Sequence, residues 1–198
     1  AVTAFSGSEL ESKGINNLVD LSGFAPNLNI GTSGFAGAGN YSAGINIRGL
    51  GQTEFLPHLD PAVGIYIDGV YFGRAVGAAM ELVDLDRVEI LRGSQSSLYG
   101  SSAIGGTINI YTKKGGKGEN KKFEITNGSN GTNNLLLSYD GANENHDYYI
   151  GINKFITDGI SAMNNDTDNL SDNDKYENEG LIANYGYKIN DKLKFESG

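Results

Sequence analysis

The chain has 198 residues, a formal net charge of −9, 29 glycines and no cysteine. Disulfides and thiolate metal sites are therefore excluded, and so acidic a chain lacks the basic footprint of a nucleic-acid binder. No run of about 18 apolar residues occurs, which rules out a transmembrane helix. The opening "AVTAFSGSELES" has neither the charged start nor the apolar region of a secretory signal, so the chain reads as cytoplasmic or already processed.

In chain order, Ser8 with Glu11 three residues on matches a capping box and predicts a short helix. Leu18, Val19 and Leu21 are near-helically spaced, and Gly23 and Pro26 stop that segment. "NLNIG" and "AGINIRG" read as short strands. The clearest local signal is "VGIYIDGVYFGR", where β-branched and aromatic arms flank Asp68-Gly69, the pair that a type I′ hairpin prefers. "DRVEILRG" and "GTINIYT" supply two further strands. Residues 1–115 thus predict an α+β unit, a small mixed sheet of about four strands with short helices.

Lys113, Lys114, Lys117, Lys121 and Lys122 crowd a glycine-rich linker that reads as a solvated hinge. Beyond it, in residues 116–198, the pattern changes to long alternating segments. Leu135, Leu137 and Tyr139 oppose Asn134, Ser138 and Asp140, and Tyr148, Ile150 and Ile152 oppose Tyr149, Gly151 and Asn153. Leu181, Ala183, Tyr185, Tyr187 and Ile189 oppose Asn184, Gly186, Lys188 and Asn190, and Leu193 and Phe195 begin another strand. Period two over about 9 to 11 residues fits a transmembrane β-strand and equally a half-buried soluble sheet. Short turns at "GANENH" and "IND", against the long acidic "TDGISAMNNDTDNLSDNDKYE", favour the barrel. About five strands are visible, whereas single-chain bacterial barrels close with eight or more, and an open edge in lipid leaves backbone groups unsatisfied. The chain is therefore expected to be the amino-terminal fragment of something longer.

Between two apolar runs lies "RGSQSSLYGSSAIGG", a glycine- and serine-rich loop of the kind that often cradles phosphate. A Walker loop needs Gly, four residues, then Gly-Lys-Ser/Thr. Here Gly93 is followed by six residues before Gly100, and Ser101 and Ser102 follow without a lysine. The alternative is steric: Gly93, Gly100, Gly105 and Gly106, like Gly49 and Gly69 in their turns, permit positive φ or close backbone approach. "SSLYG" is long enough for one helical turn ending at Gly100.

"RVEILRGSQSSLYGSSAIGGTINIYTKKG" closely resembles the end of the plug domain of TonB-dependent outer-membrane receptors. The likeness extends back through "INIRGLG", "PAVGIYIDGVYFGR" and "VTAFSGSELES", and forward into the alternating strands. Ser94 is a departure, since the family usually has proline there. The resemblance implies a globular plug inside a 22-stranded barrel of a Gram-negative outer membrane. It faces the periplasm, gates the barrel, and takes energy relayed from the inner membrane by TonB to import a scarce nutrient. A ferric siderophore is the first expectation and cobalamin the second, with outer-membrane lipid as a further partner and no nucleic acid.

Arg48 in "NIRG" and Arg92 in "LRG" match arginines that in this family pair with barrel carboxylates, a role suited to a permanently charged planar fork. Tyr41, Gln52, Phe55 and His58 would stand at the plug apex, where family members touch their ligand. Asp166, Asp168, Asp172 and Asp174 crowd the long loop and are candidate calcium ligands. Their spacing does not fit an EF-hand, so a solvated acidic loop is the first reading and no cofactor is required. His58 and His146 read as surface residues. No Ser-His-Asp order, carboxylate pair or cofactor loop is recognisable, so the expectation is a transporter and not an enzyme. The rival of another class is a soluble nucleotide-binding enzyme using the Gly93–Gly106 loop.

Overall fold

The computed structural model describes residues 1–31, 44–51, 61–73, 84–100, 103–159 and 175–198. The chain divides into two units, Ala1–Lys113 and Lys114–Gly198.

The first unit runs β1 (Val2–Ser6), α1 (Gly7–Ser12), a 3-10 turn (Val19–Gly23), β2 (Leu28–Gly31), β3 (Gly44–Ile47), β4 (Leu50–Gly51), β5 (Val63–Ile67), β6 (Val70–Phe72), β7 (Leu85–Arg92), α2 (Ser96–Tyr99) and β8 (Gly106–Thr112). Its main sheet has the order β1-β7-β8-β5-β6. The β5–β8 pair is parallel and the other pairs are antiparallel. Two features take the strand count beyond four. "VTAFS" joins the edge, with Val2 opposite Leu91 and Ser6 opposite Arg87. The strands "NLNIG" and "AGINIRG" pair with each other, Leu28 opposite Ile47, in a separate three-stranded sheet. Alternation along β7 and β8 sends Val88, Ile90 and Ile108 to one face, where they are fully buried with Ile15, Leu18, Leu21 and Ile47. Each such side chain contributes about 1.5–3 kcal/mol on burial.

The helix start differs from the expected one by two residues. Ser6, not Ser8, is the N-cap: its hydroxyl accepts from the Glu9 amide while the Glu9 carboxylate accepts from the Ser6 amide. Both frames carry the Ser-x-x-Glu pattern. The first prevails because Ser6 ends β1 in an extended conformation, as an N-cap requires. The Asp68-Gly69 turn is as expected, with φ of 48° and 84° and Ile67 opposite Val70. The Asp68 carboxylate also accepts from the Thr112 amide at 3.0 Å and from the Thr112 hydroxyl, so the hairpin tip is tied to the end of β8.

The second unit is an antiparallel meander of β9 (Gly118–Asn127), β10 (Asn133–Ala142), β11 (His146–Thr157), β12 (Tyr176–Asn190) and β13 (Leu193–Ser197). The boundary between the units falls inside the linker expected over 113–122, and its Lys114, Lys117 and Lys121 are exposed, but the linker is shorter than expected. β9 begins at Gly118 and takes Lys121 and Lys122 into the sheet. Lys113 pairs with Asp84 at 3.3 Å, Lys114 with Glu196 at 2.8 Å and Lys122 with Glu124 at 3.2 Å. Lys121 stands 5.6 Å from the Tyr139 ring. Carboxylates distant in sequence recruit Lys113 and Lys114.

Candidate functional site

The glycine loop uses its own amides. The Gly93 amide donates to Gly105 O at 3.0 Å, Gln95 to Ala103 O at 2.9 Å, Tyr99 to Gln95 O at 3.0 Å, Gly100 to Ser96 O at 3.0 Å and Gly105 to Ala62 O at 2.8 Å. A phosphate cradle needs such donors free and converging. These five amides are engaged within the fold and so are not available to a phosphate. Gly49, Gly69, Gly93, Gly100 and Gly106 all have positive φ. Gly105 instead answers to close approach: a Cβ there would lie 3.1 Å from the Leu50 Cβ and 3.2 Å from Ala62 O.

Side chains beneath the loop fasten it to the sheet. The Tyr66 hydroxyl donates to Tyr99 O at 2.6 Å, and the Asn109 amide donates to the Tyr99 hydroxyl at 3.0 Å. The Tyr66 and Tyr99 rings are 4.8 Å apart. Burial, then the neighbouring Tyr71 and Tyr99, push the Tyr66 phenol above its ordinary value. On the same face Arg87 stacks 3.6 Å over Tyr111 and pairs with Glu89 at 2.7 Å. That guanidinium is held above its ordinary value by Glu89 first and Asp86 second. Sequence reasoning passed over Tyr66, Tyr99 and Asn109. The only sequence signal was that Tyr66 and Asn109 sit at the polar phase of otherwise apolar strands.

Arg48 and Arg92 occupy different environments. Arg48 is exposed at the turn between β3 and β4, with φ of 54°. With Gly49 at φ of 82° it makes the two-residue turn that joins Ile47 to Leu50, a turn that needs positive φ at both positions. Its guanidinium lies beside Gly93, where an added Cβ would stand 3.6 Å from Arg48 Nη1. Arg92 projects from β7, half-buried; Nη1 donates to Pro26 O and Nη2 to Thr3 Oγ1, both at 3.1 Å. Its buried Nε has no acceptor among the described residues.

The second unit's strands carry one apolar face. Register lines up Phe123, Leu137, Ile152 and Leu181 in a row across four strands, and all four are exposed. Tyr139, Tyr148, Tyr185 and Tyr187 lie towards the short-turn end, where the Tyr148 and Tyr139 hydroxyls are 3.2 Å apart and His146 Nδ1 lies 2.7 Å from the Tyr185 hydroxyl. Towards the other end Lys154 pairs with Glu177 at 2.9 Å and with Glu179. On β12 the apolar phase runs from Leu181 to Ile189, about 26 Å along the strand at ~3.3 Å per residue. The opposite face carries Asn134, Ser138, Asp140 and Asn153, of which Ser138 and Asp140 are buried.

A family model described as the TonB-dependent Receptor Plug Domain matches residues 1–107. The chain belongs to the TonB-dependent receptor plug family. The pesticin receptor of Yersinia pestis is 37% identical over 112 residues, 57% of this chain and 16% of that protein. The vitamin B12 transporter BtuB of Vibrio vulnificus is 27% identical over 202 residues, 98% of this chain and 30% of that protein. The ferric yersiniabactin uptake receptor FyuA of Yersinia pestis superposes with a TM-score of 0.73 at 27% identity, covering 94% of this chain and 28% of that one. The pyoverdine outer membrane receptor FpvA of Pseudomonas aeruginosa, at 18% identity and a TM-score of 0.75 over 99% of this chain and 26% of that one, shares the fold. The chain thus spans under a third of the length of these proteins.

With the family in place, the first unit is the plug, and the second carries the antiparallel strands that follow it. The expected apex residues Tyr41, Gln52, Phe55 and His58 lie outside the described residues, as do Asp166, Asp168, Asp172 and Asp174. The described residues include no group of three or more acidic or histidine side chains arranged to hold a metal. The plug's glycine loop and its two arginines are brought together at the β7–β8 end, where Gly93 adjoins Arg48 and follows Arg92.

Proposed function

We propose that this chain is the plug and opening barrel strands of an outer-membrane receptor that imports a scarce nutrient with energy delivered through TonB. The observation that carries the reading is the order of its parts: a plug-family domain over 1–107, then a meander whose apolar row from Phe123 to Leu181 is exposed. An exposed row of that kind is costly in water and favourable in lipid. The tyrosine cluster at the short-turn end suits an aromatic girdle at the membrane interface.

The substrate class is a ferric siderophore. Support comes from the names of the relatives, since FyuA takes up ferric yersiniabactin and FpvA binds pyoverdine. Cobalamin is the second reading, favoured by the BtuB likeness over 98% of the chain. In this reading Arg48 and Arg92 face barrel carboxylates. The exposed guanidinium of Arg48 and the buried Nε of Arg92, which has no acceptor among the described residues, support that role. Tyr41, Gln52, Phe55 and His58 are assigned to the substrate.

The test is uptake by a Gram-negative strain that lacks its own siderophore and cobalamin receptors and expresses the full-length receptor carrying this chain. Accumulation of a labelled ferric siderophore that stops when TonB is deleted is the expected result. Accumulation of cobalamin alone selects the second reading. Uptake of neither, or uptake indifferent to TonB, overturns the proposal.

A further inference from the structure

Asparagine followed by glycine occurs twice in this chain, at Asn127-Gly128 and Asn130-Gly131. Both pairs lie where β9 turns into β10, and all four residues are exposed. Asparagine is a chemically labile residue, and glycine after it makes it more so. The backbone nitrogen of the following residue attacks the side-chain carbon Cγ, and glycine has no Cβ to hinder the approach. The same dipeptide also has a structural use, since the centre of a type I′ turn needs positive φ at both positions.

The structure separates the two copies. Asn130 and Gly131 have φ of 52° and 64°, and the Thr132 amide donates to Ser129 O at 3.1 Å across them, so they form the centre of such a turn. The Gly131 amide, the attacking group, has no acceptor among the described residues. Asn127 ends β9 in register with Asn133, and there the attacking group is engaged: the Gly128 amide donates to Thr132 O at 2.8 Å. The Asn130 main chain also ties down the end of β11. Its carbonyl accepts from the Asp158 amide at 2.9 Å and from the Thr157 hydroxyl at 3.3 Å. The Asp158 carboxylate lies where a Cβ on Gly131 would stand.

We propose that Asn130 is a site of spontaneous deamidation, that the fold protects Asn127 from the same reaction, and that modification of Asn130 releases the end of β11. The Gly131 nitrogen gives up its proton to solvent base and bonds to Asn130 Cγ. The Cγ–Nδ2 bond breaks, and Nδ2 takes up a proton and leaves as ammonia, so that no net charge or electron is transferred. One water then opens the five-membered imide at either carbonyl. The product is aspartate, or isoaspartate when the chain is rerouted through the side chain. Isoaspartate adds a methylene to the backbone at the turn centre, and both products place a new carboxylate beside that of Asp158. Each change weakens the bond from the Asp158 amide to Asn130 O. The left-handed turn has to open before Cγ can meet the nitrogen, so the folded protein reacts more slowly than the unfolded chain. Opening two exposed residues is easier than opening the ladder that holds Asn127.

The test ages the full-length protein carrying this chain in detergent at mildly alkaline pH and follows both sites by peptide mass spectrometry. Asn130 is expected to convert about 10-fold or more faster than Asn127, the difference made by the engaged Gly128 amide and the strand behind it. An isoaspartyl methyltransferase is expected to label the Asn130 peptide. In urea the two sites are expected to react at similar rates. Equal rates in the folded protein, a faster Asn127, or the same preference in urea overturns the proposal. Amide exchange at Asp158 reads the consequence. It is expected to quicken as Asn130 converts, and to be quicker in Asn130→Asp than in fresh wild type. Asn130→Gly accepts the positive φ and has no amide to lose, so it is expected to age without change at this turn. Asp158 exchange that stays at its fresh value after Asn130 has converted overturns the release of β11. None of these readouts depends on transport.

Discussion

Replacing Gly106 with alanine separates the steric account of the glycine loop from any ligand account. Gly106 begins β8 with φ of 147°, and a Cβ there would lie 2.3 Å from Leu91 O, in the backbone of the neighbouring strand. A non-glycine residue in that conformation costs about 1–3 kcal/mol. Relieving the overlap also requires β7 and β8 to part by roughly 1 Å, which weakens one or two ladder hydrogen bonds worth about 1 kcal/mol each. The expected loss is about 2–5 kcal/mol, a large fraction of the 5–15 kcal/mol typical of a domain. Gly100→Ala is the matched control. Its φ of 80° is also positive but no atom of the described residues lies within 4 Å of the added Cβ, so the expected loss is about 1–2 kcal/mol. Native-state hydrogen exchange at Ile90 and Ile108, both fully buried, reads the difference directly. Equal effects from the two substitutions would refute the reasoning, as would tight ATP binding that either substitution abolishes.

Other consequences follow from the same structure. The Glu9 carboxyl is held below its ordinary value by the Ser6 backbone and hydroxyl. The cap therefore contributes fully above the ordinary glutamate range and is lost as pH falls through and below it, which exchange at the Leu10 amide should register. Tyr66 is shifted the other way by burial: the folded state keeps its phenol neutral after the unfolded chain ionises, so that contribution is present below about pH 10 and lost as pH rises further. Ultraviolet titration of wild type against Tyr66→Phe should remove a late-ionising tyrosine, and an unchanged curve would contradict the assignment. Leu181→Arg places a charge in the exposed apolar row and is expected to cost about 2–4 kcal/mol of barrel stability in lipid. Lys188→Ala on the opposite face loses only an exposed pair with Asp191 and should cost under about 1 kcal/mol, and urea titration in lipid vesicles distinguishes them.

Much of the fold was legible because its signals are local. Asp68-Gly69 announces a hairpin through a dipeptide that tolerates two positive φ values, and the alternation in β10, β11 and β12 fixes which residues share a face. The failures have a common physical cause. "VTAFS" becomes a strand only because β7, some eighty residues later, offers an edge. Lys114 is exposed as its sequence suggests, but its partner Glu196, 82 residues on, is brought to it by the meander. The helix began two residues early because the repeated Ser-x-x-Glu pattern leaves the frame to be decided by where β1 stops. The loop's glycines have positive φ or a close backbone approach, whereas Tyr66 and Asn109, which hold the loop, gave only the weak sign of a polar phase in apolar strands: each finds Tyr99 through the parallel β5–β8 pairing, which no local pattern encodes.

Lipid exposure along β12 tests the central claim most directly. Single nitroxide labels at cysteines replacing Leu181, Ala183 and Tyr185, and in separate proteins Asn184 and Lys188, would be read in the full-length receptor in bilayers by collision with oxygen dissolved in the acyl chains. The account predicts strong collision at the first three positions and weak collision at the last two. Uniform exposure to an aqueous nickel chelate at all five would contradict it.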